Sequence, residues 1–215
     1  DTPANWAIVA CDVGQGDAVL VRDPAMPDEV MLVDTGDDEV RLLACLDRFG
    51  VDRIALLVLS HDDRDHVGAL PAIIARVDAA LISPASLEQR GEEREVVRQL
   101  RVARVPTTIG MAGLAAGGRA GEADAAAGQI PDPGAELEAA PAGLRWEVLA
   151  PRAEVTPADT NSASVVLMVD AGKTRLLFLG DTGLEEQQEI LSRIDQLEAD
   201  VIKVSHHGSR DQDQG

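Results

Sequence analysis

The sequence contains no tyrosine, and tryptophan and phenylalanine bring its aromatic share to only 2%. A core built almost without rings must be filled by Val, Leu, Ile and Ala. With 45% apolar residues this is the composition of buried strands in a layered α/β protein. Cysteine is almost absent as well, which excludes a disulfide framework. Cys11 and Cys45 fall inside apolar segments and read as buried thiols, with a bridge between them as the alternative. No stretch approaches the roughly 20 apolar residues of a membrane helix, and Asp1-Thr2-Pro3-Ala4 has no signal-peptide pattern. Basic residues are outnumbered, 19 against 38 acidic, for a formal net charge of −19. Such a field repels nucleic acid at long range, so a phosphate substrate would need help from bound metal or from a further part of the protein. Most of the acidic residues read as a solubilising surface.

Histidine is scarce but not scattered. All four lie at the ends of two apolar runs: His61 and His66 after Ile54 to Leu59, His206 and His207 after Val201 to Val204. The first pair belongs to Ser60-His61-Asp62-Asp63-Arg64-Asp65-His66, which follows an apolar strand and precedes helical spacing over Val67 to Ile74. His61, Asp63, Asp65 and His66 crowd four donors into one turn, and a divalent cation is the usual reason to hold such groups together.

The rest of the chain repeats the theme of strands delivering polar residues. Trp6 to Cys11 reads as a strand, followed by a glycine turn, Asp12-Val13-Gly14-Gln15-Gly16-Asp17, able to present Gln15 and Asp17, and by a second strand, Ala18 to Arg22. Met31 to Val33 ends in Asp34-Thr35-Gly36. Helical spacing of Val40, Leu43, Leu46 and Phe49 predicts a helix from Asp38, stopped by Gly50. A buried strand, Val51 to Leu59, enters the histidine cluster, and Leu81-Ile82 continues the β/α rhythm. Glu92 to Arg104 reads as a helix with Val96, Val97 and Leu100 on one face. Residues 110–143, rich in Ala, Gly, Glu and Pro, read as a flexible insertion, inert in preference to a substrate-covering lid. Leu144 to Leu149 alternates as a strand with Trp146 inward. Ser164 to Val169 and Arg175 to Leu179 read as a hairpin ending in Gly180-Asp181. Leu184 to Leu197 reads as a helix, and Val201 to Val204 as a final strand. Asp34, the His61 cluster, Asp181 and His206 thus all follow strands, where the sites of layered α/β proteins are built.

His61-x-Asp63-x-Asp65-His66, with a later Gly180-Asp181 and a later histidine, resembles the hallmark of the metallo-β-lactamase fold superfamily. The segments Asp12 to Ala18, Val33 to Gly36, Asn161-Ser162-x-Ser164, Phe178 to Asp181 and Ser205 to Ser209 are similar to the soluble hydrolase-like domain of the ComEC family of bacterial competence channels. The resemblance spans Ile8 to Ser209 apart from the insertion. It implies one domain over 1–215, an αββα sandwich with its first half from Trp6 to Ile82 and its second from Trp146 onward. It also implies two divalent metal ions, one held by His61 and Asp63, the other by Asp65, His66 and His206, with Asp181 bridging them. Asp65 and His207 are then the catalytic candidates, His207 being either a substrate-side acid or an alternative ligand to His206. His206 ranks first because it directly follows its strand. Gln15, Asp17, Asp34, Asn161 and Ser164 fall to supporting or substrate-side positions, Asp34 steering the ligands.

Two departures from the superfamily pattern bear on the metal. Asp63 stands where an imidazole is usual, and near Asn161 and Ser162 the expected ligand histidine is missing. The first change hardens the first site and shifts its preference from zinc towards manganese or magnesium, and the second leaves that site underliganded, weakly binding or completed by water. The expected activity is a metal-dependent hydrolase, a phosphodiesterase or nuclease acting on single-stranded DNA during uptake. The alternatives are a hydrolase of a small ester, lactone or phosphodiester, and a non-catalytic metal-binding domain. By the same resemblance the chain is a soluble extracytoplasmic piece of a longer inner-membrane protein, its partner the channel portion, with further elements of the domain beyond Gly215.

Overall fold

The structure is a computed structural model that describes residues 2–89, 92–117, 141–194 and 196–210. A six-stranded mixed sheet is built from β1 (Ile8–Ala10), β2 (Val19–Val21), β3 (Met31–Val33), β4 (Leu56–Leu59) and β5 (Ala80–Ile82). After a two-stranded ribbon of β6 (Glu88–Gln89) and β7 (Glu92–Glu93), β8 (Thr107–Ile109) completes it beside β5. β1 to β3 run antiparallel, and β3, β4, β5 and β8 run parallel. The second sheet has the order β13-β12-β11-β10-β9, made of β9 (Ala115–Gly117), β10 (Leu144–Ala150), β11 (Val166–Ala171), β12 (Thr174–Phe178) and β13 (Val201–Lys203). Its pairings are antiparallel except for β12 with β13.

Alternation along the strands sorts the aliphatic residues into layers, because successive side chains point to opposite faces. Leu20, Leu32, Leu57 and Leu59 face one way and pack with Leu42 and Leu46 of α1 (Glu39–Phe49), Leu70 and Ile73 around α3, and Val96 and Leu100 of α4 (Glu95–Ala103). α3 is the short helix Leu70–Ile73, preceded by α2 (Arg64–Val67). Val19, Val21, Met31, Val33, Leu56 and Val58 face the other way and meet Trp146, Val148, Leu167, Val169 and Phe178 between the sheets. On the far side, Leu149, Val166 and Leu177 receive Ile190 of α5 (Leu184–Arg193). The result is the expected αββα sandwich, with Trp146 fully enclosed between its sheets.

Several local expectations change. α1 has the predicted ends: the Asp38 carboxylate accepts from the Arg41 N–H, and Gly50, at φ 66°, closes the last turn on Leu46 and Asp47. Its buried face is rotated, however. Leu42 and Leu46 point inward with Cys45 and Phe49 beside them, and Val40 is 77% exposed. Cys11 and Cys45 are not free thiols but a disulfide, which ties the end of β1 to α1 across 34 residues. The first sheet extends past Ile82 to β8, and the second begins before Trp146 with β9. Ala115–Gly117 is therefore an edge strand inside the stretch read as an insertion. Residues 118–140 of that stretch lie outside the described residues.

Candidate metal centre

The polar loops gather at one edge of the sandwich, stitched together by backbone hydrogen bonds. Thr35 N donates to the His66 carbonyl at 2.7 Å, and Val165 N to the Ser60 carbonyl at 2.8 Å, which joins the loops of the two halves. The glycine turn after β1 rests on the ligand loop: Asp17 N donates to the Asp65 carbonyl. At Gly16, with φ 93°, an added Cβ would stand 1.8 Å from that same carbonyl oxygen, so only glycine lets the turn approach.

Within the His61 loop, alternate residues divide by direction. Asp62 turns away and is pinned by Arg94 at 2.6 Å, and Arg64 pairs with Asp37 at 2.9 Å. His61, Asp63, Asp65 and His66 turn inward. Asp34, buried and at φ 58°, organises both rings. Its Oδ2 accepts from His66 Nδ1 at 2.9 Å and from Ser60 Oγ at 2.7 Å, while Oδ1 accepts from Ser60 N at 2.7 Å. Since the Ser60 hydroxyl spends its proton on Asp34, it must accept from His61 Nδ1, 3.1 Å away. Both imidazoles are thereby fixed with N–H on Nδ1 and Nε2 facing the cleft, the orientation of a metal-ligating histidine.

Both Nε2 atoms face Asp181, His66 at 3.4 Å and His61 at 3.9 Å from its Oδ2; His207 Nε2 lies 3.8 Å from the same oxygen. Asp181 is itself set by Ser164, whose hydroxyl accepts from Asp181 N at 3.1 Å. Asp17, His66, Asp181 and His207 each offer a ligand atom within 4.8 Å of the others. On the other side of Asp181, His61 Nε2 lies 3.8 Å from Asp63 Oδ2, and Asp63 Oδ1 accepts from Thr160 at 2.9 Å. Among the described residues His61 Nε2, His66 Nε2 and Asp181 Oδ1 are buried and without a hydrogen bond. Such buried acceptors without a partner cost stability unless something positive sits among them, so the residues fit a divalent cation.

Without metal, these groups shift one another's protonation. Burial and the charge of His66 lower the His61 pKa. Burial would lower His66 too, but Asp34 and Asp181 outweigh it and push it up to about 10. Burial opposes ionisation of Asp181, yet His66, His61 and Lys203 hold its carboxyl well below the usual carboxylate range.

His61, Asp63, Asp65, His66 and Asp181 thus lie close together, with Asp34 bonded to His66 and Ser164 to Asp181. Four placements differ. His207, not His206, reaches the cluster, its Nε2 3.3 Å from Asp65 Oδ2, although both residues are exposed. Both histidines have positive φ, 45° and 51°, and this turn aims the second ring inward. Asp17 stands among the candidate ligands and not behind them. Gln15 is exposed, beside Asp38 and Arg41. Asn161 approaches Ser164 through its backbone carbonyl. Sequence reading missed Lys203, whose ammonium touches Asp17.

A four-layer αββα frame with this loop, a Gly-Asp after a strand and a late histidine is the arrangement of the metallo-β-lactamase superfamily. The chain belongs to that family, which matches it over residues 11–214. Its sequence is 30% identical over 214 residues to Recombination protein 2 of Haemophilus influenzae, covering 96% of this chain and 22% of that protein. It is 27% identical over 218 residues to ComE operon protein 3 of Bacillus subtilis, covering 93% and 25%. The chain therefore spans about a quarter or less of the length of these relatives. Among solved structures it is similar to CmlA, a diiron β-hydroxylase from Streptomyces venezuelae (TM-score 0.55, 15% identity, 94% of this chain and 34% of that one). It is similarly close to Zn(2+)-bound PqqB from Methylobacterium extorquens (TM-score 0.55, 14% identity, 89% and 64%). At these identities the structural likeness shows the fold alone. Among the described residues no helix is long and apolar enough to cross a membrane.

Proposed function

We propose that the chain is a metal-dependent phosphodiesterase acting on single-stranded DNA, part of a longer membrane protein of DNA uptake. The observation that carries the chemistry is Asp181 Oδ2 facing the Nε2 atoms of His61, His66 and His207 at 3.4 to 3.9 Å. His61 and Asp63 would hold one cation, and Asp17, His66 and His207 a second, with Asp181 shared. Divalent cations there would acidify a water at neutral pH and stabilise charge on a phosphoryl oxygen. Asp34 orients the rings, and Asp65, 3.3 Å from His207, stands ready to take or return a proton at the cleft. His206, first choice for this ligand by sequence, is not part of the set.

DNA as substrate is supported by the relatives and by local chemistry, since the cations would offset the acidic field where phosphate binds. The Cys11–Cys45 bridge supports an extracytoplasmic position, because disulfides persist in oxidising compartments. The net charge of −19 favours the second reading, a small ester, lactone or phosphodiester. The purified chain, given manganese, zinc or magnesium, is assayed on single-stranded DNA, a chromogenic phosphodiester and a lactone, beside Asp181→Ala. Cleavage of DNA in the native chain alone supports the proposal. Turnover of only the small substrates favours the second reading, and equal activity in Asp181→Ala overturns both.

A further inference from the structure

Lys203 ends β13 and carries its side chain back beneath the acidic cluster, leaving it only 16% exposed. Its ammonium is in close contact with Asp17 Oδ2, 3.7 Å from Asp181 Oδ1 and 3.3 Å from the Gly180 carbonyl. Asp17 Oδ2 is also the oxygen turned towards His207, 3.6 Å from its Nδ1, and Asp17 offers a ligand atom to the same group as His66, Asp181 and His207. An ammonium and a divalent cation would therefore use the same carboxylate atom.

The choice of residue adds a second observation. Of 19 basic residues only two are lysine, Lys173 and Lys203; the others are arginine. Arginine makes the ion pairs elsewhere, with Asp12, Glu29, Asp37, Asp62 and Asp170. Lys173 lies exposed in the turn between β11 and β12. A guanidinium on Asp17 would grip both oxygens as a planar fork and stay. An ammonium is a point charge on a flexible stem, able to withdraw along its own length.

We infer that Lys203 is a tethered cation that holds Asp17 and Asp181 in place without metal and competes with divalent metal for them. This rests on reading the cluster as a metal centre. Metal reaches the Asp17 side of the centre only by displacing the ammonium, so affinity there is set by an intramolecular rival. Lys203 is a positioning residue, acting through Asp17 and Asp181.

Two measurements test this. Manganese and zinc are titrated calorimetrically into the chelator-stripped native chain, Lys203→Met and Lys203→Arg. Lys203→Met should bind the weaker metal equivalent about tenfold or more tightly, and Lys203→Arg no more tightly than the native chain. The second measurement needs no variant: the native chain is acetylated with and without saturating metal and read by mass spectrometry. Lys203 should become several-fold more reactive with metal, while Lys173 serves as the unchanged internal standard. Weaker or unchanged binding by a folded Lys203→Met overturns the inference, as does Lys203 labelling that metal leaves constant or reduces. Metal binding by Lys203→Met but not by the native chain upholds it in its strongest form. Absence of binding in all three chains overturns the metal-centre reading itself, and this inference with it.

Discussion

Asp34 Oδ2 lies 2.9 Å from His66 Nδ1 and 2.7 Å from Ser60 Oγ, so a single buried oxygen sets the orientation of both ligand-loop imidazoles, one directly and one through a hydroxyl. Replacing it by an amide keeps the volume but loses the charge and one acceptor. Asp34→Asn is expected to weaken metal binding by about 10- to 100-fold, the usual cost of removing such a partner. Calorimetric titration of zinc and manganese checks this, and an unchanged dissociation constant would mean the rings hold their orientation without Asp34.

The two late histidines should behave oppositely. His207 faces Asp65 and Asp181, and His206 faces solvent. His207→Ala is expected to lower metal affinity by at least about tenfold, since one ligand of the set is lost. His206→Ala should change it by less than about threefold. Comparing the metal content of both variants after dialysis decides it, and the reverse pattern would restore His206 as the ligand.

Alkaline pH should destabilise the metal-free protein through His66. Its pKa rises on folding from 6.5 to about 10, so the native state binds more protons than the unfolded chain between those values. The stabilisation is fully present below about pH 6.5 and is lost as pH climbs through about 10, by at most about 1.4 kcal/mol per pH unit. Thermal unfolding in chelator from pH 7 to 10.5 should fall more steeply for the native chain than for His66→Gln. Parallel curves would remove His66 from the account.

Exchanging a carboxylate for an imidazole should shift the metal. Asp63→His gives His61 a nitrogen partner, and softer ligand sets favour zinc over manganese. The variant is expected to bind zinc about tenfold more tightly at its weaker site and to bind manganese less well. Equal selectivity for the two metals in both proteins would show that ligand hardness is not what sets the choice.

Reduction of Cys11–Cys45 should cost about 3–4 kcal/mol of stability in the chain-entropy picture, given a separation of 34 residues. Because the bridge precedes the turn that carries Asp17, the reduced protein should also bind metal less tightly. Denaturant unfolding of the native chain against Cys11→Ser/Cys45→Ser reads the first effect, and titration reads the second. A stability difference below about 1 kcal/mol would mean that packing alone holds β1 to α1.

What the sequence made legible was local. Asp38 and Gly50 mark the ends of α1 because capping chemistry is confined to a few neighbouring residues. The cluster of His61, Asp63, Asp65 and His66 declares itself because it falls within six residues. What stayed hidden depends on contacts between distant segments or on backbone torsions. His206 and His207 are adjacent, and only their left-handed turn decides which ring enters the cleft. Two cysteines allow a Cys11–Cys45 bridge without showing that they meet, and nothing near Lys203 names Asp17. Val40 fits the helical spacing as well as Leu42 does, but the tertiary packing buries Leu42. The edge strands β8 and β9 are Thr107-Thr108-Ile109 and Ala115-Ala116-Gly117, without the apolar run that marks the equally short β2 and β3.

The backbone link between Ser60 and Val165 has a bearing on how the molecule comes apart. The proposed ligands come from both ends of the chain, Asp17 to His66 on one side of that seam, Asp181 and His207 on the other. Neither half can bind metal in this way alone, so the centre exists only once the seam has closed. Metal at a hundred times its dissociation constant would then add about 2.7 kcal/mol to the cohesion of the entire sandwich and not to one loop. An ion held at its edge would act as a clasp on the two halves, and chelation would be felt as far away as the β9 edge.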